Sequence, residues 1–267
     1  MTILVSAHDA GGANQLLYRF LESAGVEFVL TGPASRIASE LGIKHSQAFD
    51  FDSIGNYSRI YVGSNSANQL SDLILSEALK LKISTTGVLE HWVNFEQRWD
   101  LLPDLIEVQD FRAFLGGLYY FKYKVRLRKN FYLEHLKENF VEQIGSQSTL
   151  LVVLQPMPGG FNHEIDNCFC SNVLKLINRF PHIQKIILRQ HVETDASICL
   201  IFLSQKLAVP VSIAEIYSSL QTDISCAKFV LGLDSYAMYV ARQLGRKVFT
   251  ISRSRRSKFA PKYKYLD

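Results

Sequence analysis

The sequence predicts an α/β protein built from two parallel sheets, each covered by helices on both faces. Short apolar runs alternate with segments of helical periodicity, and turns rich in glycine or proline separate them. An aromatic and basic stretch between residues 111 and 148 interrupts this alternation, which then resumes. Because strands that alternate with helices pair in parallel, the pattern indicates two successive α/β halves.

The first half, residues 1–110, is predicted to contain five strands and three helices. Each strand is a short apolar run that ends at a turn, and each helix repeats apolar residues at a spacing of three or four. The predicted strands are Ile3–Val5, Val26–Leu30, Arg59–Val62, Ser84–Leu89 and Leu105–Val108. The predicted helices are Gln15–Ala24, Ser35–Leu41 and Gln69–Leu81.

The second half, residues 149–267, shows the same alternation without repeating the sequence of the first. Its predicted strands are Leu150–Leu154, Lys185–Leu188, Val209–Ile213, Lys228–Leu231 and Lys247–Ile251. Its predicted helices are Asp166–Asn178, Ala196–Leu207, Glu215–Ser225 and Tyr236–Leu244. Between the halves, residues 111–148 are predicted to be a linker. There, alternation over 121–128 is compatible with a strand, although the sequence leaves that part open, and 131–144 favours a helix.

Composition narrows the class of protein. The chain has 267 residues, enough for two domains, and is 48% hydrophobic and 20% charged, as expected of a globular protein. Apolar runs fall short of the ~18 residues of a membrane span, and a leader peptide is not apparent, so a cytoplasmic location is expected. The four cysteines lack the spacing of a zinc site, so no metal or cofactor is predicted. The net charge of +4 does not by itself indicate a specific nucleic-acid partner.

The turn after the first strand is the first candidate site. It contains His8, Asp9, Gly11, Gly12 and Asn14. Parallel sheets bind ligands at the carboxyl ends of their strands, and glycines there allow a tight turn and a close backbone approach. The motif is not the G-x-G-x-x-G dinucleotide fingerprint, because Gly11 and Gly12 are adjacent. A plain strand-to-helix connection is the alternative interpretation.

The second candidate in the first half is Glu90 with His91, directly after a predicted strand. A carboxylate beside an imidazole could act as a general base on a hydroxyl group, and Asp9 with His8 is the rival pair. Either pair could instead be a buried structural set. Trp92 and Trp99 lie nearby in the sequence and could either stack against the face of a sugar or pack in the core.

Three loops of the second half have the residue types of an anion site. Asp234 and Ser235 precede a helix, whose free N–H groups could bind a phosphate, although either residue could serve only as an N-cap. Arg189 and His191 follow another strand, where an arginine offers a planar fork for phosphate but also commonly forms a surface ion pair. Gly159 and Gly160 belong to a third phosphate-sized loop.

Two basic clusters favour anionic partners. The cations and aromatics of 119–129 could lie against anionic lipid, as peripheral membrane contact at the inner face, or against an acidic polymer; a solvated face is the alternative. Arg253, Arg255, Arg256 and Lys258 could hold a phosphate or form an exposed tail.

These features together resemble the superfamily of GT-B glycosyltransferases and UDP-N-acetylglucosamine 2-epimerases, particularly small bacterial members concerned with surface polysaccharide. The residues that carry the resemblance are 8–14, 189–191, 232–235 and 245–248. The resemblance implies two Rossmann-like domains that face each other across a cleft. It places His8, Asp9 and Glu90 on the acceptor side, and Arg189, His191, Asp234 and Ser235 on the donor side.

The resemblance implies metal-independent transfer of a sugar from a nucleotide donor to a hydroxyl of a carbohydrate or lipid-linked acceptor. A nucleotide-sugar epimerase and a catalytically degenerate binding module are the alternatives. The chain departs from the family pattern at Val240, where many members place a glutamate that binds the ribose hydroxyls. It is also short for a two-domain member. Both departures favour the degenerate module or a different donor.

Overall fold

The computed structural model describes residues 2–64, 69–90, 92, 95, 98–144, 146–154, 163–190, 196–215, 218–233, 235–251 and 261–265. The described residues divide into two compact units, with the first ending at His135 and the second beginning at Leu136. Within the described ranges, no helix is long and apolar enough to cross a membrane.

The first unit is a parallel sheet, for which the described residues give six strands in the order β2-β1-β3-β4-β5-β6. The strands are β1 (Thr2–Ala7), β2 (Val26–Leu30), β3 (Tyr57–Gly63), β4 (Ser84–Leu89), β5 (Leu105–Val108) and β6 (Val125–Leu127). All of their pairings are parallel, so their carboxyl ends lie along one edge. The predictions for β2, β4 and β5 are confirmed in both position and length.

Helices cover this sheet and bury their apolar faces against it. They are α1 (Ala10–Phe20), α2 (Gly32–Glu40), α3 (Leu70–Lys80) and α4 (Phe111–Phe121), and α5 (Phe131–Glu138) crosses the division between the units. Leu16 and Leu17 of α1 are fully buried with Val5 of β1 in one core cluster. This is the burial expected for a helix whose apolar residues recur every three to four positions.

The segment predicted as a linker is divided between the two units. Residues 111–135 belong to the first, where α4 packs on the sheet and β6 is its last strand. The alternation over 121–128 contains a helix end and a 3₁₀ turn, and only Val125–Leu127 is strand. These three residues are strand because they pair in parallel with Ile106–Val108 of β5. The predicted helix 131–144 ends at Glu138.

The second unit is also a parallel sheet, with the strand order β12-β11-β10-β7-β8-β9 among the described residues. Its strands are β7 (Thr149–Val153), β8 (Lys185–Arg189), β9 (Val211–Ile213), β10 (Phe229–Gly232), β11 (Lys247–Thr250) and β12 (Lys264–Tyr265). Its helices are α6 (His163–Arg179), α7 (Ser197–Lys206), α8 (Leu220–Ser225) and α9 (Tyr236–Gln243). The prediction placed the start of α8 at Glu215. The observed helix starts later because the Ser219 hydroxyl caps it, accepting a hydrogen bond from the Thr222 N–H at 3.1 Å.

A buried tyrosine in the first unit gives a pH-dependent prediction. Burial, followed by a 2.6 Å hydrogen bond to the Glu27 carboxylate, raises the pKa of Tyr57 from 10.0 to about 12. The folded state therefore holds this proton more tightly than the unfolded chain. Its contribution to the free energy of unfolding is complete below about pH 10 and is lost as the pH rises toward 12.

Subtracting the tyrosinate absorbance of Tyr57→Phe from that of the wild type isolates the ionisation of Tyr57. We expect this difference to appear near pH 12. When Glu27→Gln is compared with Glu27→Gln/Tyr57→Phe, the Tyr57 absorbance should appear closer to pH 10, because the charged acceptor has been removed. A wild-type difference that already titrates near pH 10 would contradict the role of the Glu27 contact.

Candidate functional site

The carboxyl edge of the first sheet brings together polar residues that are distant in sequence. Ser64 directly follows β3 and Glu90 directly follows β4, so the parallel pairing of these strands places both at the same edge. The Ser64 N–H donates to the Val88 carbonyl at 3.0 Å, which extends the ladder to that residue. Ser64 is fully buried, and Glu90 is only 8% exposed. The edge therefore holds a largely buried carboxyl group.

Glu90 is held through both carboxyl oxygens. The Ser64 hydroxyl donates a hydrogen bond to Oε2, and Nη1 of Arg98 lies 3.8 Å from Oε1. Arg98 is itself mostly buried, with 15% of its side chain exposed. These contacts match the buried structural set that was kept as an alternative, and they also orient the carboxylate, so a role of Glu90 as general base stays a prediction.

Gly11 and Gly12 have a different role from the predicted one. They lie in the first turn of α1, which begins at Ala10 rather than Gln15, and neither has positive φ. A Cβ atom on Gly11 would be 2.6 Å from Cγ of Glu90, and one on Gly12 would be 2.8 Å from Cα of Gly63. The glycines therefore allow the helix to approach the Glu90 side chain and the end of β3. Whether they also contact a ligand stays a prediction.

His8 and Asp9 occupy the same edge but have other partners. Nδ1 of His8 is 2.8 Å from the Thr31 hydroxyl, and its ring packs on Gly32, whose positive φ of 52° and missing side chain leave room for it. This position lies on the β2 side of β1, whereas Glu90 follows β4. Asp9 is the N-cap residue of α1, although its side chain makes no capping hydrogen bond. Asn14 is half-buried within α1.

The two tryptophans belong to the core of the first unit. Trp92 is fully buried, and its indole N–H donates to the Asp110 carboxylate at 2.9 Å. Trp99 is also buried, and a Cβ atom on Gly87 would be 2.8 Å from its ring. Of the two interpretations of these aromatics, the structure supports packing in the core.

In the second unit, the described candidates also lie at the carboxyl edge of the sheet. Arg189 ends β8, and Ser235 follows β10, with β7 between these two strands. The Arg189 guanidinium pairs with the Asp223 carboxylate of α8 and donates to the Ser218 carbonyl at 3.2 Å. Ser235 is buried and caps α9, accepting a hydrogen bond from the Met238 N–H at 3.3 Å. Both residues therefore have the structural roles that the sequence analysis kept as alternatives, and phosphate binding by either stays a prediction.

Several predicted residues lie outside the described part of the chain. They are His91, Gly159, Gly160, His191, Asp234 and the basic residues between 253 and 258. Their assignments, and the cleft predicted between the two halves, stay predictions.

The sequence pattern does not predict Ser64 or Asp223 as site residues, nor the contact of Arg98 with Glu90. Ser64 had a usable signal, because it lies two residues after the predicted strand Arg59–Val62, close to the position that Glu90 has after Ser84–Leu89. Asp223 lies within a helix, and Arg98 follows Glu90 by eight residues, so local pattern did not indicate the partner of either.

Two successive units of this kind, each with polar side chains at the carboxyl edge of a parallel sheet, give the described residues a GT-B-like α/β fold. The resemblance noted from the sequence is thus confirmed at the level of the fold. The sequence matches no protein-family model, and a search of curated proteins returns no significant match.

Solved structures show which proteins share this fold. UDP-GlcNAc 2-epimerase from Neisseria meningitidis, bound to UDP-GlcNAc, has a TM-score of 0.70 at 13% identity over 96% of this chain and 84% of that one. The S. aureus MnaA–UDP co-structure has a TM-score of 0.68 at 12% identity over 96% and 80%. The Methanocaldococcus jannaschii UDP-GlcNAc 2-epimerase, in complex with UDP-GlcNAc and UDP, has a TM-score of 0.65 at 14% identity over 96% and 85%.

Proposed function

We propose that this protein is a nucleotide-sugar enzyme that transfers a sugar to a hydroxyl acceptor in the synthesis of surface polysaccharide or another glycoconjugate. The observation that carries the proposal is the buried Glu90 carboxylate, oriented by Ser64 and Arg98 at the carboxyl edge of the first sheet, where parallel sheets commonly bind ligands. The fold supports it, since proteins with that fold have been crystallised with UDP-GlcNAc or UDP.

In the proposed reaction, Glu90 accepts the proton of the acceptor hydroxyl while that oxygen bonds to the anomeric carbon of the donor sugar. The bond from the anomeric carbon to the phosphate oxygen breaks, and the nucleoside diphosphate leaves with the electron pair. The nucleoside diphosphate is proposed to bind in the second unit, at the N-terminus of α9 beside Ser235 and at Arg189, whose guanidinium would exchange the Asp223 carboxylate for the phosphate. The scheme uses no metal ion, as the resemblance implies.

Epimerisation of the sugar is the second candidate activity, and the solved structures favour it because two of the three compared are UDP-GlcNAc 2-epimerases. Epimerisation needs no acceptor, so a single-substrate reaction separates it from transfer. A binding module without turnover is the third alternative. Val240, fully buried in α9, has no group that could bind ribose hydroxyls.

The proposal is tested by measuring the unfolding temperature with UDP-, GDP-, CMP- and ADP-linked sugars, with the free nucleotides, and with the free sugars. A ligand at 100 times its Kd adds about 2.7 kcal/mol to the free energy of unfolding, which corresponds to a shift of several degrees. We expect one nucleotide family to stabilise the protein and free sugars to leave it unchanged.

Proton NMR of the stabilising nucleotide sugar then identifies the reaction. A new sugar without added acceptor indicates epimerisation, whereas release of nucleoside diphosphate that depends on an acceptor indicates transfer. Stabilisation without either product would support the binding module. If no nucleotide or nucleotide sugar stabilises the protein, the proposed function is wrong.

A further inference from the structure

One face of α4 is apolar and exposed. Phe111, Leu115, Leu118 and Tyr119 recur at helical spacing, with 62%, 43%, 38% and 65% of their respective surfaces exposed. The opposite face buries Ala113, Gly116, Gly117 and Phe121. The exposed stripe extends for about 12 Å along the helix. Scattered exposed apolar residues are ordinary, but a continuous aromatic and aliphatic stripe of this kind indicates an interaction surface.

Cations surround this stripe. Between residues 111 and 133 the chain has six lysines and arginines and no aspartate or glutamate, and two of the six, Arg128 and Lys129, pair with Glu107 and Glu134. Arg112 and Lys122 are exposed at the two ends of α4, and Arg126 is exposed on β6, which the described strand order places at the edge of the sheet. Leu127 is exposed beside Arg126. We call these exposed residues of α4 and β6, together with the stripe, the α4–β6 surface.

We propose that the α4–β6 surface docks the protein onto a membrane that contains anionic lipid. The apolar stripe would enter the boundary between headgroups and acyl chains, and the cations would contact the lipid phosphates. Tyr119 suits this depth because a tyrosine ring is apolar and its hydroxyl is polar. Tyr120, the next residue, stacks on the buried Phe95 ring with centroids 5.0 Å apart, which anchors this end of α4 to the first unit.

The charge pattern favours lipid over a second copy of this chain. Contact between two identical α4–β6 surfaces would bring like charges together, which is destabilising, whereas an anionic bilayer complements them. The proposal is independent of the nucleotide-sugar reaction, because vesicle binding can be measured without nucleotide. Its failure and the failure of the proposed function are therefore distinguishable.

The test is co-sedimentation of the full chain with phosphatidylcholine vesicles and with vesicles that also contain phosphatidylglycerol. Two double variants each remove one component of the α4–β6 surface. Phe111→Ser/Tyr119→Ser removes apolar side chains of the stripe, and Lys122→Glu/Arg126→Glu reverses the charge of two cations. Control variants make comparable changes of apolar to serine and of cation to glutamate at exposed positions elsewhere, as Leu73→Ser/Ile201→Ser and Lys175→Glu/Lys206→Glu. Circular dichroism confirms that each variant is folded.

We expect the wild type and both controls to bind the anionic vesicles and to dissociate as salt is added. Each double variant of the surface should bind at least about tenfold more weakly. Absence of wild-type binding at low salt would overturn the proposal, as would equal losses in the control variants. A dimer in analytical ultracentrifugation that Phe111→Ser/Tyr119→Ser dissociates, without vesicle binding, would instead assign the surface to a second copy.

Discussion

Glu90→Gln is expected to lower kcat by roughly 100- to 10,000-fold, the usual contribution of a general base. Glutamine keeps the size of the side chain and an oxygen that can accept the Ser64 hydrogen bond, but it cannot accept a proton from a substrate at neutral pH. We expect KM for the nucleotide sugar to change little, because the predicted phosphate contacts lie in the second unit. Turnover is measured by NMR with the nucleotide sugar identified in the stabilisation screen.

Glu134→Gln is the matched control for this change. Glu134 is a carboxylate of the same unit, 41% exposed and 3.8 Å from the Lys129 ammonium, and its replacement should leave kcat unchanged. Ser64→Ala keeps the Glu90 carboxylate but removes its hydroxyl donor, so an intermediate loss, with an altered pH profile of kcat, is expected of a positioning residue. Wild-type turnover in Glu90→Gln would exclude Glu90 as the base and leave Asp9 as the rival.

Gly12→Ala is expected to lower the free energy of unfolding by about 1–2 kcal/mol. The added methyl group would be 2.8 Å from Cα of Gly63 and 3.0 Å from the backbone nitrogen of Ser64, and backbone atoms cannot rotate away. Such overpacking costs about 1–3 kcal/mol. The higher helix propensity of alanine offsets at most about 1 kcal/mol of this cost. Urea unfolding monitored by circular dichroism measures the difference.

Alanine substitutions at two other glycines separate the general effect of adding a methyl group from the effect of the contact between Gly12 and the end of β3. Gly55→Ala has no atom within 4 Å of its new methyl group, so the free energy of unfolding should change by less than about 0.5 kcal/mol. Gly11→Ala would push against the Glu90 side chain, and we expect it to reduce turnover more than stability. A Gly12→Ala protein at least as stable as the wild type would show that α1 and β3 are less tightly packed than the geometry indicates.

The prediction of secondary structure succeeded where a local pattern is sufficient. Val26–Leu30 and Ser84–Leu89 are short runs rich in β-formers, bounded by turns, and both form strands over the predicted lengths. The pattern of Phe121–Arg128 did not decide its structure. Aromatic and basic residues alternate there across the end of a helix, a 3₁₀ turn and a three-residue strand. In that region, packing and strand pairing override the period of the sequence.

The sequence by itself determined that the chain folds as two parallel α/β units and that polar residues follow the strands. Periodicity and turn chemistry are local properties that can be detected without knowing the fold. Only the tertiary structure decided that Ser64 and Glu90 meet, that α1 contacts the end of β3 through Gly12, and that Arg189 pairs with Asp223. These contacts depend on the order of strands in each sheet, which brings together residues far apart in sequence, and no local period specifies that order.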